Sequence, residues 1–210
     1  MHFDLLVKNG TAVTPMGTEA ADIGIRQGRI AAIGALSTAS ADTIIDARNL
    51  HVLPGLIDAH VHLREPGNEA VETIETGTKG AVLGGLACVF DMPNTNPSIT
   101  DAARLDWKRA HIAGRAWCDM GFYVGATRAN TPELGTLEAE PNVCAIKVFA
   151  GSSTGDLMIE DDARLAAMVA EYLGQPTVTL VGFWMIFLVS RSIANSRVRT
   201  VAQQLSAVAE

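Results

Sequence analysis

Residues 54–67 have the sequence PGLIDAHVHLREPG, in which an apolar run ends in two histidines. Side chains two residues apart project from the same face of an extended strand, so His60 and His62 share one face. Pro66-Gly67 breaks the chain shortly after them, which puts the pair at the C-terminal end of the strand. Parallel α/β barrels carry their chemistry at this end. The pair therefore indicates a metal site, unless one imidazole faces solvent and the other is a satisfied core residue.

Composition restricts the class of partner. The 210 residues include 16 Lys and Arg against 23 Asp and Glu, a net charge of −7. No basic stripe is present, which argues against nucleic acid and favours a small-molecule substrate. The three cysteines are widely spaced, and the N-terminus lacks a basic segment followed by an apolar one. These features predict a cytoplasmic protein with reduced thiols.

The pattern of apolar residues divides the chain into three parts. Residues 1–53 contain short strands separated by Gly turns, including Asn9-Gly10 and Gln27-Gly28, which predicts a small antiparallel β unit. In residues 54–173, apolar strands alternate with helical stretches, as in βαβ units with a parallel sheet. A doubly wound open sheet and a barrel both fit this alternation.

The third part, residues 174–210, has a different composition. It contains an almost wholly apolar run, Val178 to Val189, and the spacing of apolar residues from Ser192 to Ala209 then predicts an amphipathic helix. Because a membrane-spanning helix needs about 20 apolar residues, we interpret the apolar run as a buried strand or core segment.

Lys147 lies inside the apolar strand 145–149, where an unpaired ammonium group would be costly to bury. Either the side chain points outward at a sheet edge or its burial has a use. One such use is reaction with CO₂, which converts the lysine into a carbamate that can bridge two metal ions.

Two further residues have substrate-binding chemistry. Arg64 lies two residues beyond His62, and its guanidinium group can hold a carboxylate with two hydrogen bonds. The alternative is a surface salt bridge with Glu65 or Glu69. Asn94 can offer amide hydrogen bonds to the same substrate, although Asn is also a common turn residue.

Together these motifs resemble dihydroorotase, a member of the amidohydrolase superfamily of metal-dependent (β/α)₈ barrels. The resemblance extends over residues 1 to about 170 and rests on four stretches in the same order: residues 54–67, ETIETGT at 72–78, DMPNT at 91–95 and IKVF at 146–149. It implies an α/β fold, an incomplete TIM-type barrel, preceded by a small N-terminal β-sandwich unit.

The resemblance also implies a site and a reaction. His60 and His62 would bind the more buried of two zinc ions, carbamylated Lys147 would bridge the pair, and Arg64 with Asn94 would bind the carboxylate of the substrate. The reaction would interconvert dihydroorotate and N-carbamoyl aspartate in pyrimidine biosynthesis. Partners in the family include a second copy of the chain and aspartate transcarbamoylase.

The chain departs from the family after the first half of the barrel. It has no histidine after His111, and the aspartate expected after the last strand has no counterpart, so no catalytic residue is assigned. An intact barrel takes about 250 residues. We therefore expect a truncated dihydroorotase of impaired activity. The alternatives are a non-catalytic fragment that associates with a partner chain, an allantoinase or hydantoinase, and a membrane-tethered fragment that uses residues 178–189.

Overall fold

The computed structural model describes residues 1–149, 157–159 and 162–174. The chain divides into two compact units, one formed by Met1–Gly55 and a second that begins at Leu56. Apart from Gly174, the predicted segment 174–210 lies outside the described residues. Among the helices of the described part, none is long and apolar enough to cross a membrane.

The first unit is one mixed sheet of five strands. They are β1 (His2–Thr14), β2 (Gly17–Arg26), β3 (Arg29–Gly34), β4 (Ser40–Asp46) and β5 (His51–Val52). The strand order is β3-β2-β1-β4, and β5 also pairs with β1. β2 is antiparallel to both β1 and β3, whereas β4 and β5 run parallel to β1. Phe3 and Leu6 on β1 are fully buried.

This sheet corrects the prediction of an antiparallel β unit, because β4 and β5 run parallel to β1. Asn9-Gly10 does not form a hairpin turn, because β1 continues through it and pairs with β2 on both sides. Asn9 has φ 62° and makes an irregularity between Val7 and Gly10. Because β1 does not reverse there, its two halves pair with β4 and β5 in a single sheet. Gln27-Gly28, with φ 51° and 69°, does join β2 to β3, as two-residue hairpin turns require.

The second unit alternates strands and helices. Its elements are β6 (Leu56–Val61), α1 (Ile74–Leu83), β7 (Leu86–Asp91), α2 (Ala102–Ile112), β8 (Asp119–Gly125), a 3₁₀ turn (Thr131–Glu133), α3 (Leu134–Glu138), β9 (Val143–Lys147) and α4 (Asp162–Leu173). The sheet is parallel throughout, with order β6-β7-β8-β9. A doubly wound sheet reverses its strand order at a switch point. The order of the described strands has no reversal, which is consistent with part of a barrel-type sheet.

A buried ion pair connects the sheet to α2. The side chains of Asp91, at the end of β7, and Lys108, on α2, are 0% and 1% exposed. One carboxylate oxygen of Asp91 accepts a hydrogen bond from Lys108 Nζ, and the other accepts one from the backbone N–H of Leu63 at 2.9 Å. Burial raises the pKa of Asp91, and the ammonium group of Lys108 opposes that rise. The pair thus fixes the chain just beyond β6 to both β7 and α2.

A second buried carboxylate holds the loop after β6. Glu65 accepts hydrogen bonds from the backbone N–H of Ile74 at 2.8 Å, from Arg115 at 2.7 and 3.1 Å, and from His111. Burial disfavours the charged form of Glu65, but these hydrogen bonds outweigh it and lower its pKa to about 2. Glu65 therefore ties this loop to the start of α1 and the end of α2.

We expect Lys108→Met to lower the free energy of unfolding by about 3–5 kcal/mol, because it leaves the Asp91 carboxylate buried without its partner. Urea unfolding at pH 7 measures the change. The matched control is Lys79→Met, which removes an exposed cation 5.0 Å from the ring centroid of Trp117 and should cost about 1 kcal/mol or less. Equal losses in the two variants would contradict the prediction.

Glu65 also predicts a pH dependence of stability. Its pKa is lower in the folded chain than the ordinary value of 4.5, so its stabilisation is complete above about pH 4.5 and declines as the pH falls toward 2. Wild type should lose about 3 kcal/mol more than Glu65→Gln across this window. Urea unfolding at a series of pH values tests this. Glu133→Gln, at an exposed position, should behave as wild type, and a Glu65→Gln profile parallel to wild type would refute the assignment.

Candidate metal centre

The end of β6 brings the two predicted histidines together. Their Nε2 atoms are 3.2 Å apart, and the ring centroids are 5.1 Å apart. Two nitrogen ligands of one tetrahedral zinc ion, each about 2.0–2.1 Å from the metal, would be separated by roughly 3.3 Å. The imidazoles of His60 and His62 therefore converge at a spacing that suits two ligands of one ion.

His62 is oriented by a residue from the neighbouring strand. Its Nδ1 lies 2.9 Å from Oδ1 of Asn94, which follows β7. An amide oxygen only accepts hydrogen bonds, so Nδ1 of His62 carries the proton and donates it. In the neutral ring Nε2 then keeps its lone pair. This tautomer directs the lone pair of Nε2 toward His60. The hydrogen bond to Asn94 is the kind of second contact that metal-binding histidines usually have.

His60 has an environment that favours its neutral form. Desolvation lowers its pKa, the charge of Lys147 and that of a protonated His62 lower it further, and the carboxylate of Asp58 opposes them. The backbone N–H of His60 donates to Asp58 Oδ1 at 3.0 Å. Neutral imidazole is the form that binds metal ions.

Lys147 ends β9 and is 9% exposed. This burial excludes the alternative of a lysine that points outward at the sheet edge. Burial lowers its pKa, and its charge acts on His60. Its Nζ lies 5.1 Å from the ring centroid of Phe149. Lys147 and His60 thus belong to the same end of the parallel sheet.

Arg64 is exposed, and among the described residues its guanidinium group forms no salt bridge. The carboxylate of Glu65 bonds to Arg115 and His111 instead, and Glu69 accepts from the backbone N–H of Gly67 at 2.9 Å. The predicted alternative of a salt bridge to Glu65 or Glu69 is therefore absent. The loop after β6 presents a positive charge two residues beyond His62.

In the part of the chain that the structure describes, no group of three His, Cys, Asp or Glu side chains is arranged to hold a metal. The described candidate centre consists of the two histidines and Lys147. No described residue takes the place of the aspartate expected after the last strand of the barrel.

Sequence reasoning missed three buried residues near this centre: Asp91, Lys108 and Tyr123, whose hydroxyl donates to the backbone carbonyl of Ala59 at 2.9 Å. Lys108 had a detectable signal, because it occupies an inward position of α2, three residues after Leu105 and four before Ile112. Asp91 ends a buried strand, which made it a candidate partner for that cation. Tyr123 gave no signal, since an aromatic residue in an apolar strand usually belongs to the core.

Residues 50–151 match the Dihydro-orotase-like family. Among curated proteins, the chain is 40% identical to an allantoinase of Desulfitobacterium hafniense (strain Y51) over 175 residues. This alignment covers 83% of the chain and 39% of the relative. An allantoinase of Escherichia coli O1:K1 / APEC is 36% identical over 165 residues, or 78% of the chain and 36% of the relative. The chain therefore spans about two fifths of the length of these relatives.

Solved structures give a similar result. The L-hydantoinase (dihydropyrimidinase) of Arthrobacter aurescens superposes with a TM-score of 0.69 at 28% identity, covering 79% of this chain and 37% of that one. A D-hydantoinase has a TM-score of 0.67 at 29% identity, covering 81% and 38%. The sequence analysis predicted a dihydroorotase, with an allantoinase or hydantoinase as the alternative. The matched proteins are named allantoinases and hydantoinases. The chain is therefore similar to cyclic amidohydrolases of the amidohydrolase superfamily.

Proposed function

We propose that the chain carries the metal-binding and carboxylate-binding part of a dihydroorotase site. The reaction is the hydrolysis of the ring amide of dihydroorotate to N-carbamoyl aspartate, and its reverse in pyrimidine biosynthesis. Zinc is the proposed metal, with two ions in the complete site.

The donor set suits zinc. His60 and His62 supply neutral imidazole nitrogens 3.2 Å apart, and Asn94 holds the tautomer of His62 that keeps the lone pair on Nε2. Bound zinc would polarise the amide carbonyl and lower the pKa of a water molecule. The residues of the chain orient the ligands and present the substrate.

Lys147 is the proposed bridging residue. A neutral lysine amine reacts with CO₂ to form a carbamate, with a new N–C bond and release of one proton to water. Burial at the end of β9 favours the neutral amine that this step needs. The product carries two oxygens and a negative charge, which matches the hard and borderline metal ions that carboxylates bind.

Arg64 is the proposed determinant of substrate specificity. Dihydroorotate has a carboxylate on its ring, whereas allantoin and simple hydantoins have none. An exposed guanidinium group that forms no ion pair with the described residues, two positions beyond His62, is suited to bind that carboxylate. This observation supports dihydroorotate over the neutral cyclic amides.

Allantoinase is the second candidate function, supported by the names of the curated relatives at 40% and 36% identity. The two functions differ in the charge of the substrate, so the contribution of Arg64 separates them. A third reading is a non-catalytic fragment that acts by association with a second copy or with aspartate transcarbamoylase. Under that reading zinc and substrate would bind weakly or not at all.

We expect purified chain to bind zinc through the histidine pair, and Asn94→Ala to weaken that binding by about 10- to 100-fold through loss of the second contact of His62. Competition with a chromophoric chelator measures the affinity, and mass spectrometry gives the zinc content. Asn96→Ala removes a nearby exposed amide and is the matched control. Equal affinities in the two variants would argue against the proposed role of Asn94, and absence of zinc in wild type would argue against the proposed function.

Substrate choice is tested with matched ligands. Dihydrouracil is dihydroorotate without the carboxylate, so Arg64→Met should weaken dihydroorotate binding or turnover by about 10- to 100-fold and leave dihydrouracil unchanged. Calorimetry and hydrolysis assays on the zinc-loaded chain measure both, with allantoin as a third substrate. Arg29→Met, at an exposed position in the first unit, is the control. Preference for allantoin, with no effect of Arg64→Met, would favour the second candidate.

A further inference from the structure

β6, which carries His60 and ends just before His62, contains a β-bulge. β6 and β7 pair at Asp58↔Val89 and again at Val61↔Asp91. Three steps along β6 therefore match two steps along β7, which leaves one extra residue at Ala59-His60. A bulge takes backbone groups out of the ladder and changes the direction of nearby side chains.

Two side chains satisfy the backbone groups at this bulge. The hydroxyl of Tyr123 donates to the carbonyl oxygen of Ala59 at 2.9 Å. The backbone N–H of His60 donates to Asp58 Oδ1 at 3.0 Å. Ala59 and His60 are exposed, so these two hydrogen bonds replace ladder hydrogen bonds that the bulge removes. Both side chains therefore stabilise the irregular backbone that carries His60.

Tyr123 reaches the bulge from β8, which is not adjacent to β6. Strands in a sheet are about 4.8 Å apart, so β8 and β6 are separated by roughly 10 Å, with β7 between them. Tyr123 is 2% exposed and packs with Met92 and Ala145. Burial raises its pKa to about 12, so the hydroxyl keeps its proton at neutral pH.

We propose that Tyr123 is a positioning residue for His60. Its hydroxyl holds the Ala59 carbonyl, fixes the bulge, and so sets the direction in which the His60 imidazole meets that of His62. Tyr123 acts through the backbone, and no hydrogen bond or ring contact among the described residues joins it to either imidazole. The consequence for zinc rests on the proposed function, but the effect on the backbone does not.

Hydrogen exchange of the metal-free full chain, followed by mass spectrometry, tests the backbone effect. In Tyr123→Phe, we expect the slowly exchanging amides within residues 56–63 to exchange about three- to tenfold faster, which corresponds to loss of one hydrogen bond. Tyr172→Phe is the matched control, because Tyr172 is also 2% exposed but lies on α4. Its exchange in this segment should equal that of wild type. Unchanged exchange in Tyr123→Phe, or equal acceleration in both variants, would overturn the proposal.

Zinc affinity tests the effect on His60 itself. We expect Tyr123→Phe to bind zinc about 10- to 100-fold more weakly, and Tyr172→Phe to stay within about twofold of wild type. Wild-type affinity in Tyr123→Phe would refute the positioning role even if exchange were faster. If wild type bound no zinc, the proposed function would fail, and hydrogen exchange would still decide whether Tyr123 holds the bulge.

Discussion

The carboxylate of Asp91 connects three parts of the second unit through two hydrogen bonds. One oxygen bonds to the backbone N–H of Leu63, directly after His62, and the other bonds to Lys108 on α2. Replacing a buried ion pair by apolar residues is often neutral for stability, whereas loss of one partner is costly. The stability of the chain is therefore sensitive to loss of either Asp91 or Lys108 alone, because the remaining charge would be buried without its partner. The pair ties the residue directly after His62 to both β7 and α2.

In the candidate centre too, a side chain from one strand or loop holds a residue of another. His62 is held by Asn94 from the chain after β7, and the bulge that carries His60 is held by Tyr123 from β8. Lys147 comes from the end of β9. Neighbouring parallel strands thus contribute either a candidate ligand or the group that orients one. Such a centre depends on the order of the strands, because each supporting contact comes from another strand.

Much of the second unit was predictable because its signals are local. The alternation of apolar strands and helices predicted the parallel sheet, and the histidine spacing placed both imidazoles at one strand end. The sheet of the first unit was not predicted correctly. Asn9-Gly10 has the sequence of a hairpin turn, but tertiary pairing with β2 on both sides makes it an irregularity within β1. Local turn propensity is weak against tertiary pairing on both sides of the turn sequence.

By itself the sequence determined that a histidine pair ends a parallel strand, that Lys147 lies in an apolar strand, and that Arg64 follows the pair, because each depends on neighbours in the chain. Only the tertiary structure decided that Glu65 bonds to Arg115 rather than Arg64, and that Tyr123 reaches the bulge at His60. These contacts join residues 50 and 64 positions apart. They arise from strand order and packing, which bring distant residues together and leave no periodic signal in the chain.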